Sequence, residues 1–159
     1  MSTAGPAVVL LEPEIPGNTG NIIRLCANAG AALHLVRPLG FSLKDRLLKR
    51  AGLDYHEYVR VQVHDDLQAA RTALGERRWI AFSAHGTGTH ADWDYRPDDV
   101  LLFGPETRGL PPATREDAAA CLRIPMQPDV RSLNLSNAAA IVLFEAWRQQ
   151  AFAPDWRRG

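Results

Sequence analysis

Apolar residues in this chain fall into short, dense runs separated by stretches rich in chain breakers. Val8-Val9-Leu10-Leu11, Leu33-His34-Leu35-Val36, Trp79-Ile80-Ala81-Phe82 and Val100-Leu101-Leu102-Phe103 each predict a strand. The first and third are continuous rather than alternating, the pattern of strands buried on both faces. Val59, Val61 and Val63 alternate with polar residues and predict another strand, and Leu122-Arg123-Ile124 predicts a short one ended by Pro125. Between the strands the period changes. Asn18 or Thr19 is placed to cap a helix through Ile22, Ile23, Leu25, Cys26 and Ala29, which Gly30 ends. Lys44 to Ala51 predicts a short helix, Asp65 or Asp66 caps one through Leu67, Ala70 and Leu74, and Thr114 to Ala120 predicts another. The last helix runs from about Asn134 to Gln150. Its segment Ala138 to Phe144 is apolar on nearly every side, so it needs cover on more than one face, and a subunit interface is one such cover. Ser83 to Asp99 reads as a loop.

Strands alternating with helices predict an α/β fold with a mostly parallel sheet flanked by helices. No repeat, low-complexity segment or linker divides the chain, so residues 1–159 read as a single domain. In open parallel sheets, ligands bind in the loops beyond the carboxyl ends of strands. Three loops that directly follow strands are rich in Gly, Pro, Asn and Ser: 12–21, 104–111 and 125–137. Three in one short chain predict a composite site. The first, Gly17-Asn18-Thr19-Gly20-Asn21, opens a helix whose N-terminal amides attract anions, but it fits neither GxGxxG nor a P-loop.

Composition narrows the class. Hydrophobic residues make up 46% of the 159 and charged residues 23%, as in ordinary globular proteins. No apolar run is long enough to span a membrane, and residues 1–6 lack the features of a secretory signal, so the expected location is the cytoplasm. Cys26 and Cys121 stand far apart in apolar surroundings, outside any CxxC or Cys/His cluster, and read as buried thiols rather than zinc ligands. The 18 basic and 18 acidic side chains balance, which counts against nucleic-acid binding unless the charges segregate. They do so in sequence. Arg37, Lys44, Arg46, Lys49, Arg50, Arg60, Arg157 and Arg158 lie apart from the cluster Asp92, Asp94, Asp98 and Asp99.

The three loops resemble the three sequence motifs of the SPOUT RNA methyltransferases, in the TrmH-type branch that methylates ribose 2′-oxygens. Asn18, Gly20, Asn21 and Arg24 carry the first motif. Phe103-Gly104-Pro105-Glu106 with Gly109-Leu110 carry the second, and Ile124-Pro125-Met126 with Ser132-Leu133-Asn134-Leu135-Ser136 the third. Glu12 to Pro16, Arg50 to Glu57 and Glu145 to Arg148 resemble the TrmL-type subgroup, which modifies the wobble nucleotide of tRNA. Gly17 departs from a second proline common there. The likeness extends from about Val8 to Gln150.

The resemblance implies a deep C-terminal trefoil knot that periodicity does not reveal, and a homodimer in which the partner subunit completes the site. It implies S-adenosylmethionine as cofactor, S-adenosylhomocysteine as product and no metal. Phe82, Gly104, Ile124 and Ser132 are the implied cofactor contacts. Arg24 is the implied catalytic residue, with Asn21, Glu106, Ser132 and Asn134 as its polar frame. Two roles are open for Arg24. It either takes the 2′-hydroxyl proton, unusual for a guanidinium, or grips the phosphate beside the target ribose and stabilises developing alkoxide charge. We favour the second. Glu106 is expected to pair with Arg24 or with a loop amide. Tyr55 and His56 are candidates to stack on an unpaired base, and Lys44, Arg46, Lys49 and Arg50 to meet phosphates. Phe144 is expected at the dimer interface. The implied reaction is 2′-O-methylation of position 34, C or modified U, in the anticodon loop, with leucine tRNAs as expected substrates. The alternatives are another tRNA position or ribosomal RNA, a non-catalytic RNA-binding protein of the same fold, and a nucleotide-dependent oxidoreductase, which the missing dinucleotide fingerprint disfavours.

Overall fold

The computed structural model describes residues 5–44 and 61–155. The expected helix from Lys44 to Ala51, and with it Arg46, Lys49, Arg50, Tyr55, His56 and Arg60, lies outside the described residues apart from Lys44 itself, which is exposed. Arg157 and Arg158 also lie outside them.

The elements, in order, are β1 (Ala7–Leu11), α1 (Pro16–Ala29), β2 (Ala32–Val36), β3 (Val61–His64), α2 (Leu67–Leu74), β4 (Trp79–Phe82), β5 (Gly88–Thr89), a 3-10 turn (His90–Asp92), β6 (Val100–Phe103), α3 (Pro112–Asp117), β7 (Ala120–Arg123) and α4 (Leu135–Gln149). Among the described residues the strands form one sheet in the order β3-β2-β1-β6-β4-β7-β5. All their pairings are parallel. The apolar runs are continuous because both faces are covered. Val8, Leu10, Leu33, Leu35, Ile80 and Leu101 pack with α1 and α4. Val9, Leu11, Val36, Ala81 and Leu102 pack with Ala70 and Leu74 of α2 on the opposite face.

Boundaries differ from expectation where the deciding group is distant or the element is very short. α1 begins at Pro16, with Ile15 as its cap residue and no side-chain cap of its own, instead of at Asn18 or Thr19. Proline's fixed φ and missing N–H suit a first helical position. Gly30 ends the helix in the left-handed conformation, as expected. α2 is capped by Asp66, whose side chain accepts from the Ala69 amide. α3 starts and stops earlier than expected, again at a proline. β5 and the 3-10 turn interrupt the stretch 83–99 that reads as a loop.

β7 lies between β4 and β5, although only residues 83–87 join those two strands. That connection runs directly across the backbone of β7. A Cβ on Gly86 would stand 2.3 Å from the Leu122 carbonyl carbon, so only glycine fits. The crossing is pinned by the Ser83 and Thr87 amides, which donate to the Leu122 and Cys121 carbonyls at 3.0 Å each. The chain that forms β7 then continues into α4, which packs against α1. Among the described residues no helix is long and apolar enough to cross a membrane.

Candidate active site

β6, β4 and β7 are neighbours and end at the same level: Phe82 is in register with both Phe103 and Leu122. Beyond those ends lies a cavity of about 620 Å³. Its floor is the stacked pair Phe82 and Phe103, with ring centroids 5.0 Å apart. All three loops singled out in the sequence reach it: Ile15 and Asn18 from the first, Gly104 to Gly109 from the second, and Met126 with Arg131 to Leu135 from the third, next to Ile124 just past the end of β7. A fourth segment, Ser83 to His85, completes the wall. Nothing in its sequence pattern marked it beforehand, because its place depends on the crossing over β7.

The first and second loops are stitched together by two carboxylates acting in opposite directions. The Glu14 and Ile15 amides donate to Glu106 Oε1 and Oε2, each at 2.8 Å, and Asn18 Nδ2 donates to Oε2 at 3.3 Å. Glu106 thus supplies from a distant loop the acceptor that the start of α1 lacks locally, at the helix end that favours negative charge. In return Glu14 Oε1 accepts from the Thr107 amide at 2.9 Å and from its hydroxyl at 2.7 Å. The Thr107 amide and then its hydroxyl hold the Glu14 carboxyl below its ordinary range. A third contact of the same kind joins Arg108 to Glu12 at 3.0 Å. Of the two partners expected for Glu106, these bonds are with loop amides.

The second loop also folds tightly on itself. A Cβ on Gly104 would meet the Gly109 carbonyl carbon and the Leu110 nitrogen at 2.5 Å. Gly104 therefore lets the loop turn back and leaves its backbone facing the cavity. In the third loop Asn134 caps α4, its Oδ1 accepting from the Ser136 amide at 2.9 Å and from its hydroxyl at 2.6 Å.

Six of the eight residues expected to hold the cofactor or frame the chemistry line this cavity: Phe82, Gly104, Glu106, Ile124, Ser132 and Asn134. Asn21 and Arg24 do not. Both are exposed on α1. Asn18, buried and bonded to Glu106, is the asparagine of the first motif that reaches the cavity. Phe144 is 39% exposed and Ile141 38%, on the side of α4 opposite Ala139, Val142, Leu143 and Ala146, which are buried.

A cavity of this size lies within the usual range for small-molecule sites, about 300–1,000 Å³. Its position outside the carboxyl ends of parallel strands is where α/β sheets bind ligands. The model of the SpoU rRNA Methylase family matches residues 5–144. The chain belongs to that family. A relative from Methylovorus glucosotrophus is a tRNA (cytidine(34)-2'-O)-methyltransferase, 57% identical over 148 residues, covering 92% of this chain and 96% of its own. A solved structure concerned with the 2-OH methylation of C/U34 on tRNA superposes with a TM-score of 0.88 at 45% identity, over 95% of this chain and 99% of that one. The SpoU methyltransferase AviRb from Streptomyces viridochromogenes, in complex with the cofactor AdoMet, superposes with a TM-score of 0.78 at 27% identity, over 95% of this chain and 59% of that one. The oxidoreductase alternative falls away with family membership.

Proposed function

We propose that this SpoU-family chain transfers a methyl group from S-adenosylmethionine to the ribose 2′-oxygen of nucleotide 34, a cytidine or modified uridine, in the tRNA anticodon loop. Leucine tRNAs are the proposed substrates and the cytoplasm the proposed location. The observation that carries the reading is the convergence of three separated loops on one cavity at the ends of β6, β4 and β7. The high identity to wobble cytidine methyltransferases over nearly the whole chain supports the choice of substrate.

The cavity fits such a cofactor. Phe82 and Ile124 offer apolar walls for an adenine ring, Gly104 leaves backbone open to it, and Ser132 offers a hydroxyl. The cofactor supplies an already activated methyl group on a sulfonium, so what the protein contributes is mainly placement of the attacking oxygen. Glu106 and Asn18 keep the first and second loops in register around the methyl donor. Arg24 grips the phosphate beside the target ribose and stabilises charge developing on the 2′-oxygen. Since Arg24 and Asn21 are not among the residues lining the cavity of their own chain, they serve the cavity of a partner subunit in a homodimer. Phe144 and Ile141, the exposed apolar residues of α4, lie on the surface proposed to pair.

The deciding experiment incubates the protein with total tRNA and methyl-labelled S-adenosylmethionine and maps the modified nucleotide. Label is expected on the 2′-oxygen of nucleotide 34. Label at another position or in ribosomal RNA favours the neighbouring substrate readings. Binding of S-adenosylhomocysteine and tRNA without any transfer leaves the non-catalytic RNA-binding reading.

A further inference from the structure

A second recess of about 320 Å³ adjoins the cavity. His85, Pro105, Arg108 and Gly109 line both, so they form a shared wall. The far side is made by Leu11, Glu12, Leu110, Pro111, Pro112 and Arg115. Its ionisable side chains include two guanidiniums against a single carboxylate, with the His85 imidazole beside them, in a chain whose overall charge is zero. Glu12 binds Arg108 through a single oxygen at 3.0 Å, and the Arg108 side chain is 62% exposed. A guanidinium has five N–H donors in a planar fork, so most of those on Arg108 stay available for an anion. Arg115 makes no ion pair among the described residues. Of its acidic neighbours on α3, Asp117 is held by Arg71 at 3.0 Å, and neither Glu116 nor Asp117 lines the recess. The prolines fix the backbone of the rim, so little ordering is needed before a ligand arrives.

We infer that this recess is a subsite for a backbone phosphate of the substrate RNA, held by Arg108 and Arg115 with His85 beside them, on the opposite side of the shared wall from the methyl donor. The inference rests on the RNA methyltransferase reading and adds a surface to it. A ribose presented to the cavity carries a phosphate on each side. The recess receives one of them and fixes the direction in which the strand enters. This places RNA-contacting charge on the second motif loop and α3.

Arg115 lines only the recess, so it tests the inference without touching the cavity. Arg115→Gln is expected to raise KM for tRNA about tenfold with kcat little changed, and to reduce the slope of log Kd for tRNA against log salt by about 0.7, the loss of one single-strand phosphate contact. S-adenosylhomocysteine affinity, measured by calorimetry on the same preparations, is expected to stay within about twofold, and it also reports that the variant is folded. Glu12→Gln removes the one carboxylate and is expected to tighten tRNA binding. If Arg115→Gln leaves tRNA binding and its salt slope unchanged, or if it weakens the cofactor product instead, the recess is no phosphate subsite. Wild-type protein that methylates tRNA while Arg115→Gln is indifferent overturns this inference alone. Wild-type protein that binds no RNA at all overturns both it and the reading beneath it.

Discussion

The carboxylate of Glu106 makes three of the hydrogen bonds by which the first and second loops meet. Its oxygens take the amides of Glu14 and Ile15, which belong to a segment over ninety positions away in sequence. Replacing it by glutamine leaves one acceptor and turns an amide N–H₂ toward a backbone N–H. Each such charge-assisted bond is worth about 1.5–3 kcal/mol. Glu106→Gln is therefore expected to lower stability by about 2 kcal/mol in guanidinium denaturation and to weaken S-adenosylhomocysteine binding, because the cavity wall loosens. A variant with unchanged midpoint and unchanged cofactor affinity but no methyl transfer would instead assign Glu106 to the chemistry itself. The same geometry explains why Asn18 outranks Asn21 at the cavity. Both stand in the first motif. Only the true start of α1, set by Pro16 and by Glu106 from outside, decides which asparagine faces the second loop.

At the edge of the sheet, β2 and β3 carry a pair of histidines that the proposed reaction does not use. His34 Nδ1 and His64 Nε2 are 2.8 Å apart, with the rings stacked at 8°. Burial, and then the neighbouring His64 and Arg77 charges, push His34 down from 6.5 to about 4. The unfolded chain takes up this proton near pH 6.5 and the folded chain only near pH 4, so the stability it reflects is complete above about 6.5 and is lost as pH falls toward 4. The loss amounts to about 3 kcal/mol. Denaturant unfolding at a series of pH values should show this decline in the wild type and a flatter curve for His34→Gln; parallel curves would remove His34 as its source. The elements themselves were unevenly legible. β4 and β6 match the predicted runs because burial on both faces writes itself as unbroken apolar sequence. Local capping signals fixed the C-terminus of α1 and the N-termini of α2 and α4. The start of α1 depends on a partner in another loop, and β5 is two residues long, too short to carry a period. In the same way, three loops of the site could be read because each advertises itself with breakers, whereas the segment 83–85 owes its place to the crossing over β7.

For the whole molecule, the question is which chain's arginine serves which chain's cavity. The cavity is lined from the ends of β4 and β6, the loops after β4, β6 and β7, the first turn of α4, and Ile15 and Asn18 at the start of α1, while Arg24, further along α1, is exposed and does not line that cavity. α1 packs against α4, whose exposed Phe144 and Ile141 form the apolar surface proposed to pair, so a two-fold dimer across this face would carry Arg24 toward the partner. Phe144→Asp is expected to yield monomers by light scattering that retain little activity. A stronger test separates the two halves of the site. Arg24→Ala disables the arginine, and Ile124→Glu puts a charge into the wall proposed for the adenine, so neither homodimer should methylate tRNA. In a heterodimer, action across the interface gives one cavity that is intact and faces an intact arginine. Random mixing after denaturation and refolding, or co-expression, should then restore about one quarter of wild-type turnover, because half the dimers are mixed and each has one good site. If Arg24 works within its own chain, every site in every dimer lacks either the arginine or the cavity, and the mixture stays inactive.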